Sequence, residues 1–376
     1  MHSPIKKVVV AGTGFGRIYL EALTSKDLST QHNFQLVGIM AKGSDYSRRC
    51  AEEHQVSLYT SEEQIPDDVD IVCLVLRSGA IGGEGSEIAQ FLLRRGIHVL
   101  QEHPVHSKEI AANLVAAKQG NAAYAVNTLY HNLRHSRQLL AVAKYLNEQH
   151  PLAEIEAVCN SQMAYPLLDL IGRTVGKLRP WAFSEPTHIE GHPYKVVTGH
   201  IGSVPLTLKI QNQVHPDDPD NHSFLLHKLS LSYESGVLSL ADTHGPVLWN
   251  PRLHSPRDGT GRLMLKGKGT ERLAVPSTVT LGDKEPRSFH QVFALTWPEA
   301  ILEALHSLSL DIDHKDRRKH SGQWALDVTM AWSSLTQNIG MPTLINSSEP
   351  ASISMEKLID IAANACHYDE KINTSR

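Results

Sequence analysis

Lys7-Val8-Val9-Val10-Ala11-Gly12-Thr13-Gly14-Phe15-Gly16-Arg17 is the stretch from which the rest of the chain can be read. Residues 7–11 have the length and β-branching of a strand buried on both faces, and they run without a spacer into a glycine-rich turn. A helical spacing of apolar residues follows from Ile18 to Thr24. Glycine at 12 permits a tight turn, and glycine at 14 lets the backbone approach a pyrophosphate whose charge the amide dipoles at a helix start favour. Thr13, Phe15 and Gly16 complete the candidate dinucleotide turn. The third glycine of the G-x-G-x-x-G spacing falls on Arg17, so helix and strand are expected to pack differently from the usual arrangement. A strand-to-helix turn with no ligand is the competing reading.

The same alternation continues outward. Phe34–Met40, Ile71–Leu76, His98–Gln101 and Ala123–Asn127 read as further buried strands, separated by helical patterns over Ser47–His54, Ser86–Arg95 and Lys108–Gln119. Strands and helices in alternation predict a parallel sheet covered by helices. No acid ends the second strand, where NAD-binding folds place one for the ribose 2′-hydroxyl. Ala41-Lys42-Gly43-Ser44 stands there instead, with Arg48 and Arg49 beyond it, donors and positive charge suited to a 2′-phosphate. NADPH (NADP) is therefore expected rather than NADH, against the alternative that the two arginines form a solvated helix face. The third strand ends in Arg77-Ser78 and a glycine-rich segment to Gly85, placed to cover a dinucleotide.

Beyond about residue 135 longer strands join as hairpins, Lys195–His200 with Pro205–Val214 and Phe224–Tyr233 with Gly236–Ala241. Helical patterns at Leu133–Glu148, Ala164–Val175, Glu299–Leu308 and Gln323–Gln337 can cover one face of that antiparallel sheet, leaving the other for a second subunit. Arg252–Glu285, rich in Gly, Pro, Arg and Lys, reads as a long mobile loop. His215–His222 reads as a rigid loop that can rim a cleft.

A length of 376 residues exceeds what one core usually serves, and 36 Lys+Arg against 40 Asp+Glu gives a net charge of −4 with no basic block. Composition thus offers no case for nucleic acid or a membrane surface. The apolar runs are too short for a signal peptide core or a membrane span. Cys50, Cys73, Cys159 and Cys366 are scattered, which argues for a reducing cytoplasm and against a disulfide framework or structural zinc. Among the 22 histidines, His131 and His135 can share a helix face, but no third ligand accompanies them. No metal site is expected, and a solvated or capping role is.

The fourth strand ends in Gln101-Glu102-His103-Pro104, which resembles the Glu-Lys-Pro segment of the Gfo/Idh/MocA oxidoreductases. That resemblance implies an N-terminal Rossmann domain, here 1–130, followed by an α+β domain, 131–376, with a large, mostly antiparallel open sheet. Sugar and polyol members use the lysine of this segment with an Asp and His one helical turn apart. Here His103 replaces the lysine, and Asp169 is followed four residues later by Arg173. The chain is more closely similar to the thiazolinyl imine reductases of yersiniabactin- and pyochelin-type siderophore assembly. The likeness is carried, in order, by V-V-V-A-G-T-G-F-G-R-I-Y-L from Val8, A-K-G-S from Ala41, L-Y-T-S from Leu58, L-R-S-G-A-I-G-G-E-G from Leu76, G-I-H-V-L-Q-E-H-P-V-H from Gly96, V-N-T-L-Y from Val126 and H-P-D-D-P-D-N-H-S from His215. It implies a homodimer that uses NADPH to reduce a thiazoline C=N to a thiazolidine while the intermediate is tethered to a carrier protein of a nonribosomal peptide synthetase. Such a reduction needs one positioned acid and no nucleophile, and His103 and Tyr130 are the candidates. A sugar or polyol dehydrogenase and a non-catalytic dinucleotide-binding regulator are the other classes.

Overall fold

The computed structural model describes residues 4–28, 32–76, 83–187, 190–282 and 286–365. The first part runs β1 (Lys6–Ala11), α1 (Gly16–Thr24), β2 (Phe34–Met40), α2 (Asp45–His54), β3 (Ser57–Tyr59), β4 (Ile71–Leu74), α3 (Glu84–Arg94), β5 (His98–Glu102), α4 (Ser107–Gln119) and β6 (Tyr124–Asn127). Its six strands are all parallel, in the order β3-β2-β1-β4-β5-β6. Val8, Val9, Val10, Ile71, Val72 and Cys73 are fully buried, as central strands covered on both faces require. The short edge strand β3 escaped the sequence reading because three residues carry no periodicity.

The second part runs α5 (Arg134–Gln149), β7 (Glu154–Asn160), α6 (Ala164–Val175), β8 (Trp181–Phe183), β9 (Tyr194–Ile201), β10 (Val204–Gln211), β11 (Gln213–Val214), β12 (His227–Tyr233), β13 (Gly236–Leu240), β14 (Val247–Pro251) and β15 (Val279–Leu281). It ends with α7 (Phe289–Gln291), α8 (Trp297–Asp313), α9 (Lys315–Ile339), β16 (Thr343–Leu344) and α10 (Met355–Asn364). Eight strands form a sheet in the order β15-β14-β13-β12-β7-β10-β9-β8, antiparallel except where β7 meets β10. Leu206, Leu208, Ile210, Leu229 and Leu231 point to the buried face while Lys209, Lys228 and Ser230 alternate on the other, the period of two expected of a half-covered sheet.

Arg252–Glu285 is not loop throughout, contrary to the expectation. β15 returns within it to pair with β14, and Glu271–Ala274 forms a 3-10 turn; three residues of a twisted edge strand give too short a signal to read from sequence. The two C-terminal helices are longer than their apolar spacing suggested, and they return to the first sheet. α8 packs on α1 and α9 on α4. Thr329 Oγ1 donates to the Val105 carbonyl at 2.7 Å, and the Arg318 guanidinium donates to the Asn121 carbonyl at 3.0 Å. These contacts lay α9 along the sheet from the amino end of β6, at Asn121, to the segment just past the carboxyl end of β5, at Val105.

Candidate active site

A cleft of about 1250 Å³ lies at the carboxyl edge of the parallel sheet, where open α/β sheets take their ligands. Its floor is the turn after β1. Gly12 has φ +102°, and a Cβ there would sit 2.3 Å from the Val75 carbonyl oxygen, so both backbone sign and space demand glycine. At Gly14 an added Cβ would meet nothing within 4 Å, which leaves open floor where the backbone can be approached. α1 starts at Gly16 without a side-chain cap, so its first amides are available to an anion. Gly16 also answers the Arg17 departure: its Cβ would lie 3.3 Å from Val10 Cγ1, so the close helix-to-strand approach falls one residue earlier than the motif places it. Thr13 and Phe15 line the same floor. Turn, open floor and uncapped helix start fit a dinucleotide pyrophosphate.

At the far end, Lys42 and Ser44 line the cleft beside Thr60 and Glu62. Ser44 Oγ accepts the Ser47 amide at 3.2 Å and caps α2, while exposed Lys42 lies 3.5 Å from the Glu84 carboxylate. Gly43 has φ +75° and shapes this turn without lining the cleft. Arg48, also expected here, stands exposed on the first turn of α2 and is not among the residues lining the cleft. Arg77 and Ser78 lie outside the described residues.

At the other end β5 delivers Glu102 and His103, and a 3-10 turn (Tyr130–Asn132) after β6 delivers Tyr130. The His103 and Tyr130 rings stand 6.4 Å apart and nearly perpendicular, so the sheet brings the two sequence candidates together. His103 Nδ1 lies 3.0 Å from both the Asn127 carbonyl oxygen and Glu102 Oε1. Both are acceptors. Nδ1 therefore carries a hydrogen, and Nε2 is the nitrogen left to serve the cleft. Burial by itself would make this imidazole less basic, but the bond and charge of Glu102 outweigh it and raise its pKa. Burial, with the charges of Glu102 and Asp220, pushes the Tyr130 phenol up, so it stays protonated. Asp220 belongs to His215–His222, and that segment does rim the cleft through it.

Several residues here escaped sequence reading. Tyr130 packs edge-on against Trp297 at 6.2 Å and His227 at 5.8 Å, and Tyr165 stacks on His103 at 5.6 Å. Trp297 comes from a helix distant in sequence, and nothing local marks it. His131 corrects another expectation. It lies in the 3-10 turn rather than on α5 beside His135, and it is enclosed rather than solvated, with Nδ1 2.9 Å from Asp169 Oδ2. Asp169 is almost fully buried and also takes Arg173 Nε at 2.9 Å, Trp324 Nε1 at 2.6 Å and the Thr128 hydroxyl. Burial alone would raise its pKa, but Arg173 and the His131 and Thr128 bonds hold it well below the usual carboxylate range. The carboxylate is consumed by its neighbours and does not line the large cleft.

Residues 6–128 match the family model of the Gfo/Idh/MocA oxidoreductases, described as an oxidoreductase family with an NAD-binding Rossmann fold. Residues 149–250 match the model described as thiazolinyl imine reductase Irp3-like, C-terminal. Residues 6–128 thus carry a Rossmann domain of Gfo/Idh/MocA type, and residues 149–250 a domain of thiazolinyl imine reductase type. No curated protein matches it in sequence. Among solved structures it is similar to KijD10, a 3-ketoreductase from Actinomadura kijaniata in complex with TDP-benzene and NADP, with a TM-score of 0.62 at 14% identity over 92% of this chain and 100% of that one. GenD2 from gentamicin A biosynthesis in complex with NAD gives a TM-score of 0.60 at 12% identity over 89% and 94%. The UDP-N-acetylglucosamine 3-dehydrogenase GnnA from Acidithiobacillus ferrooxidans gives 0.59 at 13% over 90% and 98%. At these identities the likeness establishes the fold. No helix among the described residues is long and apolar enough to cross a membrane.

Proposed function

We propose that this protein reduces the C=N bond of a thiazoline to a thiazolidine, using NADPH, on a substrate tethered as a thioester to a carrier protein of a nonribosomal peptide synthetase. The observation that carries the reading is the reacting end of the cleft. There His103 occupies the position of the family's lysine, pinned through Nδ1, while the helical carboxylate that alcohol oxidation would use is bonded to Trp324, His131 and Arg173 and does not line this cleft. Among the described residues lining the cleft, Lys42 at the opposite end is the only lysine. Backed by Glu102 at Nδ1, the imidazole can carry a proton on Nε2 and give it to nitrogen, while neither the lysine nor the helical carboxylate of the alcohol-oxidising arrangement is among the described residues at this end of the cleft.

A bound nicotinamide would supply the hydride to the imine carbon. The protein's part is to hold the dinucleotide on Gly12–Gly16, to orient the imine between the nicotinamide and His103, and to deliver a proton from His103 Nε2 to nitrogen. Tyr130 stands beside it as wall and second donor. The imidazolium is then restored from solvent. Buried, unpaired Cys50, Cys73 and Cys159 accord with a cytoplasmic setting. The polar face of the eight-stranded sheet is where a second copy would pair in the proposed homodimer.

The carrier's docking surface is assigned to the exposed basic stretch of Arg257, Arg262, Lys266, Lys268 and Arg272, since carriers of this kind are usually acidic. Its acids, Asp258 and Glu271, are engaged by local backbone amides. Arg287 is not part of it, because its guanidinium turns inward to Glu299 at 3.1 Å. The test is NADPH oxidation with a carrier-bound thiazoline, a short thioester of the same ring, and polyols with NAD. Consumption with the tethered thiazoline, weaker with the mimic and weakened by salt, is expected; turnover of polyols alone rejects the reading.

The NADPH preference is assigned to Lys42 and Ser44. Lys42→Ala should weaken NADPH binding about tenfold, toward the low end of a charge-assisted bond because the side chain is exposed, and leave NADH nearly unchanged. Isothermal titration with both cofactors checks this, and equal losses remove the assignment.

A further inference from the structure

Behind His103 lies a buried chain of hydrogen bonds that the reduction as proposed does not itself require. Tyr19, on the first turns of α1, is fully buried, and its hydroxyl donates to Glu102 Oε2. Asn127 Nδ2 donates to the Tyr19 oxygen at 2.7 Å and lies 3.2 Å from the same Glu102 oxygen. The amide's orientation is set at its other end, where Asn127 Oδ1 accepts the Leu129 amide at 2.9 Å. Leu129 has φ +58°, a conformation L residues seldom adopt, and the next residue is Tyr130. One asparagine thus braces both the carboxylate beneath His103 and the turn that carries Tyr130. Glu102 Oε1 is left facing His103 Nδ1 at 3.0 Å.

We infer that Tyr19 is a positioning residue of the site: with Asn127 it fixes the Glu102 carboxylate and aims it at His103 Nδ1, so that the imidazole keeps one orientation and can carry its transferable proton on Nε2. The inference rests on His103 being the proton donor, as proposed above. A neutral ring with hydrogen on Nδ1 has no proton to give from Nε2. Only the imidazolium does, and a carboxylate fixed at Nδ1 favours that form. Without the Tyr19 donor on Oε2 the Glu102 carboxylate can turn its other oxygen away from Nδ1, and the imidazolium loses its nearest charge. Tyr19 is suited to this task because burial and the charge of Glu102 keep its phenol protonated, so it donates throughout the working pH range.

The other groups around His103 do not duplicate Glu102. Asp169 on α6 acts on it at longer range and is tied to Arg173; His131 beside it is kept less basic by burial and by Arg173. Tyr165 on α6 stacks on the ring, Tyr130 stands edge-on to it, and burial keeps Cys73 on β4, next to Glu102, as a thiol.

The experiment follows the His103 ring by NMR across pH in the whole protein without substrate, beside the pH profile of kcat/KM. In Tyr19→Phe the His103 titration should move down by about one pH unit, and the alkaline limb of kcat/KM should follow it. Turnover then falls about tenfold at pH 8 and little at pH 6, with the KM for NADPH unchanged. Glu102→Gln, which keeps shape and loses charge, should move the titration further in the same direction. A uniform loss at every pH with an unmoved His103 titration means that Tyr19 only fills space, and the inference falls. If Tyr19→Phe does not fold, the unmodified protein decides: the buried Tyr19 hydroxyl proton should shift as His103 titrates, and a resonance indifferent to that titration overturns the coupling. Because the titration needs no substrate, its outcome is separate from whether thiazolines are reduced. A shifted titration with an unmoved kcat/KM limb would instead reject His103 as the donor.

Discussion

Replacing His103 by alanine is expected to lower turnover of a carrier-bound thiazoline about 10²–10⁴-fold, the range for losing a sole general acid, while NADPH affinity changes little. The two effects separate because His103 touches the reacting end of the cleft, whereas the pyrophosphate floor is built from Gly12 to Gly16 some distance along the sheet edge. The alkaline limb of the rate should follow the same group. Its folded pKa is raised by Glu102, so the protonated, donating form persists to higher pH than for a free imidazole and activity is lost as pH rises through that raised value. Tyr130→Phe should cost less, since the phenol is driven to a higher pKa by burial and is the poorer acid at neutral pH. Stopped-flow NADPH oxidation with both variants checks this. If Tyr130→Phe is the more damaging change, the roles of the two residues are reversed; if the double variant turns over near the parent rate, neither is the donor.

Asp169→Ala is expected to be the most destabilising single change described here, by about 3–5 kcal/mol, because it removes one partner of a buried charge cluster and strands the others. Arg173, Trp324, His131 and Thr128 all direct a bond at this one carboxylate, and they come from α6, α9 and the turn after β6. The loss is therefore tertiary rather than local. Its pH dependence has a definite sign: the folded pKa is depressed, so the contribution is fully present above the unfolded value of about 3.9 and is lost as pH falls through the lower folded one. Urea unfolding at pH 7 and at pH 3 measures both. Asp169→Asn, which keeps the shape and one acceptor oxygen while losing the charge and the second acceptor, should lose less than alanine. A change below 1 kcal/mol in Asp169→Ala would show that the cluster is solvated in solution and does not brace the second part of the chain.

The two halves were not equally legible. β1, the glycine turn and α1 could be placed to within two residues, because three consecutive valines followed by two glycines in alternation admit few structures, and the physical demands at Gly12 and Gly14 are local. β2 and α6 match their expected bounds, Phe34–Met40 and Ala164–Val175, since most positions in each are apolar. β3 and β15 were missed because three residues at a sheet edge carry no period.

By itself, the sequence determined the class of fold, the dinucleotide turn and the pairing of His103 with Tyr130, since each follows a strand whose carboxyl end the topology sends to one edge. What the tertiary structure alone decided is which atoms of those residues are free to act. His103 is pinned by the Asn127 carbonyl and Glu102, Glu102 by Tyr19, and Asp169 is consumed by groups 41, 4 and 155 positions away along the chain. Hydrogen-bond direction, tautomer and burial belong to contacts between distant segments, which have no signature in local spacing.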